Sequence, residues 1–204
     1  MRLAIFGAGG HGGVIADSAE SLGWNVSFFS DGHSGRVGEW EILGSGALLL
    51  ERAREFEGVI VAIGANAARL DWLNRMQTAG ARIATIIDRT AIVSSRASIG
   101  EGCFLAPGSI VNRAAVIERG CIINTGATVD HDCHVGEACH LSPGVHLSGT
   151  VCIGRTSWLG TGTSVRNNIV IGDAVVAGVG SVIVNDIASG LTVVGVPARP
   201  LERS

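Results

Sequence analysis

The chain contains no lysine and no tyrosine, and only nine of its 204 residues are aromatic. All fifteen positive side chains are arginine. The missing lysines exclude both a phosphate-gripping P-loop lysine and a Schiff-base amine. No apolar run approaches the roughly 20 residues that span a bilayer, and the opening MRLAIFGAGG turns glycine-rich too early for a secretory leader. A cytoplasmic protein without membrane insertion is therefore expected. The net charge of −3 and the scattered arginines provide no basic patch, which argues against nucleic acid as a partner. Five cysteines, an odd number in a chain without a secretory signal, point to reduced thiols. What the chain does have is glycine, 30 residues of it, beside a hydrophobic content of 47%. That combination suits an ordinary soluble fold with many turns and small inward-facing residues.

The chain divides near residue 86. Residues 2–6, RLAIF, form a short apolar run that ends at GAGGHGG; VIADSAESLG then has helical spacing, and WNVSFF follows as a second strand. Gly7, Gly9 and Gly12 satisfy G-x-G-x-x-G, and Asp31 lies where a ribose-binding acid sits in dinucleotide folds. Backbone N–H groups at such a helix N-terminus can cradle phosphate. GVIVAIGAN adds another buried strand and glycine turn, followed by a helix to about Ala79 and then RIATII. Residues 1–86 thus read as a small Rossmann-like α/β domain. A complete dinucleotide-binding domain needs about twice this length, which favours a mononucleotide or nucleotide-sugar site. A glycine turn that only packs helix on sheet, or a redox NAD site, are the alternatives.

From Ile87 a period of six takes over. Stepping by six from Ile87 to Ile183 gives seventeen positions, all Ile, Leu or Val except Ala177. The residue four places later is small or β-branched in every repeat, from Ala91 to Ile187. Uninterrupted hexapeptide repeats mark a left-handed parallel β-helix, a triangular prism in which three hexads make one coil. The prism is expected over 87–188, about 27 Å tall at the usual strand spacing, with a tail over 189–204. Cys103, Cys121, Cys133 and Cys139 fall on the small inward position, where a thiol acts as a compact apolar group.

Histidines crowd one segment, INTGATVDHDCHVGEACHLSPG. His134, His140 and His146 take the same hexad position on three successive faces, so they cannot converge on one metal within a chain. Exposed turn residues are the expectation for His134 and His146. His131 lies outside that series, between Asp130 and Asp132. A carboxylate beside an imidazole can fix its tautomer and support the imidazolium, provided that a prism corner bends the two together. His131 is therefore a candidate general base, with Asn124 and His140 able to add hydrogen bonds; an ordinary exposed histidine is the alternative. Gly149 falls one full coil above His131, because three hexads separate the two positions.

In this order and spacing, IFGAGGHG, SDG, AIGAN, the hexapeptide prism, INTGATVDHDCHVGEACHLSPG and the closing GVPAR resemble the NeuD/PglD family of sugar acyltransferases over nearly the whole chain. The resemblance implies a homotrimer that uses acetyl-CoA, needs no metal and builds its active site between neighbouring prisms. His131 matches the catalytic histidine, Asp132 the acid that follows it and Asn124 the asparagine of NTGA. His140 matches the histidine facing the acetyl thioester, and Gly149, Gly195 and Arg199 are expected on the acetyl-CoA path. Gly9, Gly10, His11, Gly12, Asp31 and Gly64 would hold the nucleotide of an activated amino sugar. Two departures stand out: Ser30 where relatives often carry a second acid, and Asp132 in place of a longer Glu. The expected activity is N-acetylation of a UDP-, GDP- or dTDP-linked 4-amino-4,6-dideoxy sugar for surface glycans. Sialic acid O-acetylation, a γ-type carbonic anhydrase and a non-catalytic nucleotide-sugar binder are the rivals.

Overall fold

The structure, a computed structural model, describes residues 1–201; residues 202–204, the end of the expected tail, lie outside it. The N-terminal domain runs β1 (Arg2–Phe6), α1 (Gly10–Ser21), β2 (Asn25–Phe29), β3 (Arg36–Val37), β4 (Trp40–Gly44), α2 (Gly46–Arg52), β5 (Gly58–Val61) and α3 (Asn66–Thr78). Its sheet has the order β3-β4-β2-β1-β5, with β4, β2, β1 and β5 parallel and β3 an antiparallel edge. Strand β1 alternates its faces: Leu3 and Ile5 pack with Ile15, Ala16 and Ala19 of α1, and Ala4 and Phe6 with Leu49 of α2 and with Leu73 and Met76 of α3. Helices on both faces explain why a parallel sheet reads as continuous apolar runs. The chain winds one way through β2 and β4, then returns to the other side of β1 as β5. That reversal opens a crevice beyond the carboxyl ends of β1 and β5, the usual ligand position in such sheets.

Ile86–Ile87 begins the prism. Its first face stacks Ile86, Phe104, Ile122, His140, Trp158 and Val176 as outward residues; the second starts at Ile92 and the third at Ser98. Partners are eighteen residues apart throughout, as in Thr128 with His146. From Leu105 to Ile183 the inward aliphatics are buried with all four hexad cysteines in one continuous core, against which the half-buried Ile87, Val93 and Ile99 pack, and Cys152 is exposed. Corner turns need a left-handed residue every sixth place, so from Gly102 to Gly180 the positive-φ series holds seven glycines and seven other residues, Asp132 among them at φ 57°.

Three differences from the sequence reading follow from pairing. His134, His140 and His146 begin strands and project from three faces, and are not turn residues. The last coil is two residues short: Ile187 pairs with Ile171 and so takes a large-residue place, not the small one that the period gives it. Thr192–Val194 then pairs with Val176–Ala177 and returns as an antiparallel strand, Arg199–Pro200, so that the expected tail closes the prism. The two domains share a core in which Phe104, Ala106 and Ile122 of the first face pack with Leu3, Ile5 and Ile15.

Candidate active site

The glycine loop lies in the crevice. At Gly7, φ is +120° and a Cβ would stand 2.6 Å from the Ala62 carbonyl oxygen, so only glycine lets the β1 and β5 turns meet. A Cβ on Gly12 would clash with the Gly7 carbonyl, which seats α1 against the loop, whereas Gly9, Gly10 and Gly64 face open space. No side chain caps α1 and no acid lies in its first turn, so its leading N–H groups are free for an anion. Asp31, just past β2, accepts a 2.8 Å hydrogen bond through Oδ1 from Gly46 N at the start of α2, beside the Ser45 side chain that caps the helix.

His131 sits at the corner between the second and third faces. Asp130 Oδ1 accepts its backbone N–H at 2.7 Å, and Asn112 holds that same oxygen. Its Nδ1 lies 2.7 Å from Asp132 Oδ2. The left-handed turn at Asp132 makes this contact between consecutive residues possible. With Nδ1–H donating to the carboxylate, Nε2 is left as the basic nitrogen. Gly149 is stacked directly above: a Cβ there would come within 2.5 Å of His131 Cε1 and 2.6 Å of Nε2.

Asn124 and His140 are not beside His131 in the same chain. Asn124 follows the first face, and its Nδ2 lies 3.1 Å from His140 Nε2. Its Oδ1 accepts the Thr125 N–H at 2.8 Å, which orients the amide, so Nδ2 donates to Nε2 and the His140 proton resides on Nδ1. Burial, then Arg69, then His11 push the His140 pKa down to about 3. His11, in the first turn of α1, stacks edge-on to Phe104 and has its ring centroid 6.3 Å from that of His140. Burial and then Arg69 lower its pKa to about 4, and its buried Nε2 has no hydrogen-bond partner among the described residues. Each chain therefore carries two separate groups: His131, Asp132 and Gly149 at the corner between the second and third faces, and Asn124, His140 and His11 beside the first face.

Gly195 and Arg199 lie at the top of the prism. The Gly195 carbonyl accepts Val182 N on the second face, three coils above Thr128, and Arg199 lines a hollow with Ile187 and Leu191. Among the described residues no group of three or more His, Cys, Asp or Glu could hold a metal. Three residues of this region were not singled out in the sequence: Arg69, Trp158 and Asn66, which entered only as the end of the AIGAN turn. An arginine on an amphipathic helix reads as solvated charge, yet Arg69 is buried between the domains. Trp158 stands directly above His140 and, with Gly64, Ala65 and Asn66, lines a cleft between the domains.

Comparison with known proteins accords with this geometry. Residues 2–76 match the family model of the PglD N-terminal domain. The acetyltransferase domain of PglB from Neisseria gonorrhoeae, in complex with acetyl coenzyme A, is 40% identical, with a TM-score of 0.96 over 98% of each chain. PerB from Caulobacter crescentus, in complex with CoA and GDP-perosamine, is 33% identical, with a TM-score of 0.95 over 99% of this chain and 98% of that one. WeeI from Acinetobacter baumannii shares the fold at 23% identity, with a TM-score of 0.91 over 98% of this chain and 100% of that one. No curated protein sequence matches. Likeness over nearly the whole chain at 33–40% identity leaves one conclusion: the chain belongs to the NeuD/PglD family of sugar acyltransferases.

Proposed function

We propose that this protein transfers the acetyl group of acetyl-CoA to the amine of a nucleotide-linked 4-amino-4,6-dideoxy sugar, in the cytoplasm, for a surface glycan. The observation that carries the reading is the 2.7 Å contact of His131 Nδ1 with Asp132, beneath a glycine that keeps the space over Nε2 clear. A sugar amine is mostly protonated at neutral pH, and only its free-base form attacks a thioester. As the C–N bond forms, His131 Nε2 takes a proton from the attacking nitrogen and Asp132 supports the resulting imidazolium. The carbonyl π electrons move onto oxygen, then return as the C–S bond breaks, and the thiolate receives the proton from His131. Gly149 N–H and His140 Nδ1–H are the donors available to the transient oxyanion.

The separated half-sites support a homotrimer in which His131 of one chain works opposite Asn124 and His140 of its neighbour. Acetyl-CoA would run up the second face from His131 to Gly195, a climb of three coils or about 14 Å that suits an extended pantetheine arm, and reach Arg199 at the adjoining end of the first face. The α1 N-terminus would hold the pyrophosphate beside Gly9, Gly10 and Gly12, with Asp31 Oδ2 on the ribose, Gly64 on the opposite wall and His11 Nε2 free for a polar group of the substrate. The relative bound to GDP-perosamine supports an amine acceptor.

The test is CoA release from acetyl-CoA with UDP-, GDP- and dTDP-linked 4-amino sugars beside N-acetylneuraminate, each repeated with His131→Ala. Turnover on an amino sugar that falls roughly 100-fold or more in the folded variant is expected. Turnover on the sialic acid alone would replace the reading with O-acetylation, and a zinc-loaded chain inert to all substrates would end it.

A further inference from the structure

Arg69, in the first turn of α3, is only 1% exposed and has no carboxylate partner among the described residues. Its donors are met by neutral oxygens: Nε by Gly120 O at 2.7 Å, Nη1 by Ile63 O at 2.8 Å and Gly64 O at 3.1 Å, and Nη2 by Asn66 Oδ1 and Ala138 O at 2.8 Å and Cys139 O at 3.2 Å. Asn66 extends the clamp by donating to Thr156 O at 2.9 Å and Ser157 O at 3.0 Å. Residues 120, 138 and 156 form one corner on three successive coils. The 138–139 backbone runs directly into His140, and Ile63 and Gly64 belong to the glycine turn that walls the nucleotide crevice. A buried cation without a counter-ion is an expensive way to hold two domains together, and an apolar contact would stabilise them more cheaply. What a planar five-donor fork supplies instead is fixed geometry among several carbonyls.

We propose that Arg69 is a positioning residue for the acyl transfer: its guanidinium fixes the spacing between the Gly64 turn, which holds the sugar nucleotide, and the coil that presents His140 to the thioester. This rests on the acetyltransferase reading above. Burial lowers the Arg69 pKa to about 10, so at neutral pH the group remains a cation. The groups facing His140 are Arg69 from α3, His11 from α1 and the neutral amide of Asn124, and neither ionisable neighbour is an acid. Burial first, and the Arg69 cation after it, keep His140 uncharged, with Nδ1–H as a donor.

Two variants of the full chain, Arg69→Gln and Arg69→Lys, separate charge from geometry. Imidazole NMR titration, with His140 assigned by His140→Asn, needs no substrate; kcat and KM follow from CoA release. Wild-type His140 is expected to stay neutral down to pH 5. In Arg69→Gln its titration should move up while burial still holds it below the ordinary value, and in Arg69→Lys it should stay low, because the charge remains. Both variants should lose at least tenfold in kcat and raise KM for the amino sugar more than for acetyl-CoA, because neither side chain supplies the planar fork that joins carbonyls of both domains. Titration of wild-type His140 near pH 6.5, or a folded Arg69→Gln enzyme with unchanged kcat and KM, would overturn the proposal. If Arg69→Gln does not fold, the wild-type titration and Arg69→Lys still decide. A wild-type chain inert to every amino sugar would count against the acetyltransferase reading, while the titrations would still report on Arg69.

Discussion

At the scale of the residue, the site depends on what is missing beside His131. Gly149→Ala would bring a methyl group to 2.5 Å from Cε1. The imidazole is a movable side chain, so it should yield while the backbone stays in place. We expect kcat to fall roughly 100-fold, the order associated with a displacement of about 1 Å, with a melting temperature close to wild type. Asp132→Asn should keep its left-handed turn, which asparagine tolerates, and lose roughly 10-fold or more through the weakened support of the imidazolium. The buried histidines make a second prediction. His11 and His140 are held near pKa 4 and 3, below the ordinary value of 6.5. The unfolded chain thus binds protons that the folded chain refuses, and their stability contribution is complete above pH 6.5 and lost as the pH falls below it. Between pH 8 and pH 5 the loss should be about 2 kcal/mol per histidine, and urea unfolding of His11→Asn and His140→Asn should show a shallower decline. The His131–Asp132 pairing was legible because the two residues are consecutive and a hexad corner must bend between them. The Asn124–His140 pairing was not, because the two lie sixteen positions, most of a coil, apart.

At the scale of the element, one strand tests the inside and outside of the prism. In Val170–Ile171 the first residue is 54% exposed and the second 1%. Ile171→Ala should cost about 2–5 kcal/mol and Val170→Ala no more than about 0.5 kcal/mol by denaturant unfolding. The sequence made this alternation plain because every coil repeats it at the same spacing. It did not reveal the short final coil, since Ile187 is apolar in either register and only pairing with Ile171 decides between them. The hairpin of β3 and β4 and the short helix α2 went unread for a related reason: Arg36–Val37 is only two residues long and α2 only seven, too short for either period to show. Arg69 is the same problem in three dimensions, because its acceptors come from one corner of successive coils and no local pattern announces them.

At the scale of the whole molecule, the two half-sites make a sharp statement about assembly. If each active site takes His131 from one chain and His140 from its neighbour, His131→Ala and His140→Ala chains should complement each other when unfolded together and refolded as mixed trimers. At equal amounts about a quarter of the interfaces pair two intact halves under cyclic symmetry, so about a quarter of wild-type turnover should return. A site complete within one chain would restore none. The return strand at the top has a further consequence. A stack of parallel coils offers its last hydrogen-bonding edge to any similar edge, which is how solenoids grow into fibres. Here the first face ends in Arg199–Pro200, laid antiparallel across Val193–Val194, and proline has no N–H to offer a newcomer. Arg199, which the resemblance places on the acetyl-CoA path, thus also belongs to a stopper, which lets a one-dimensional fold remain a discrete, countable particle.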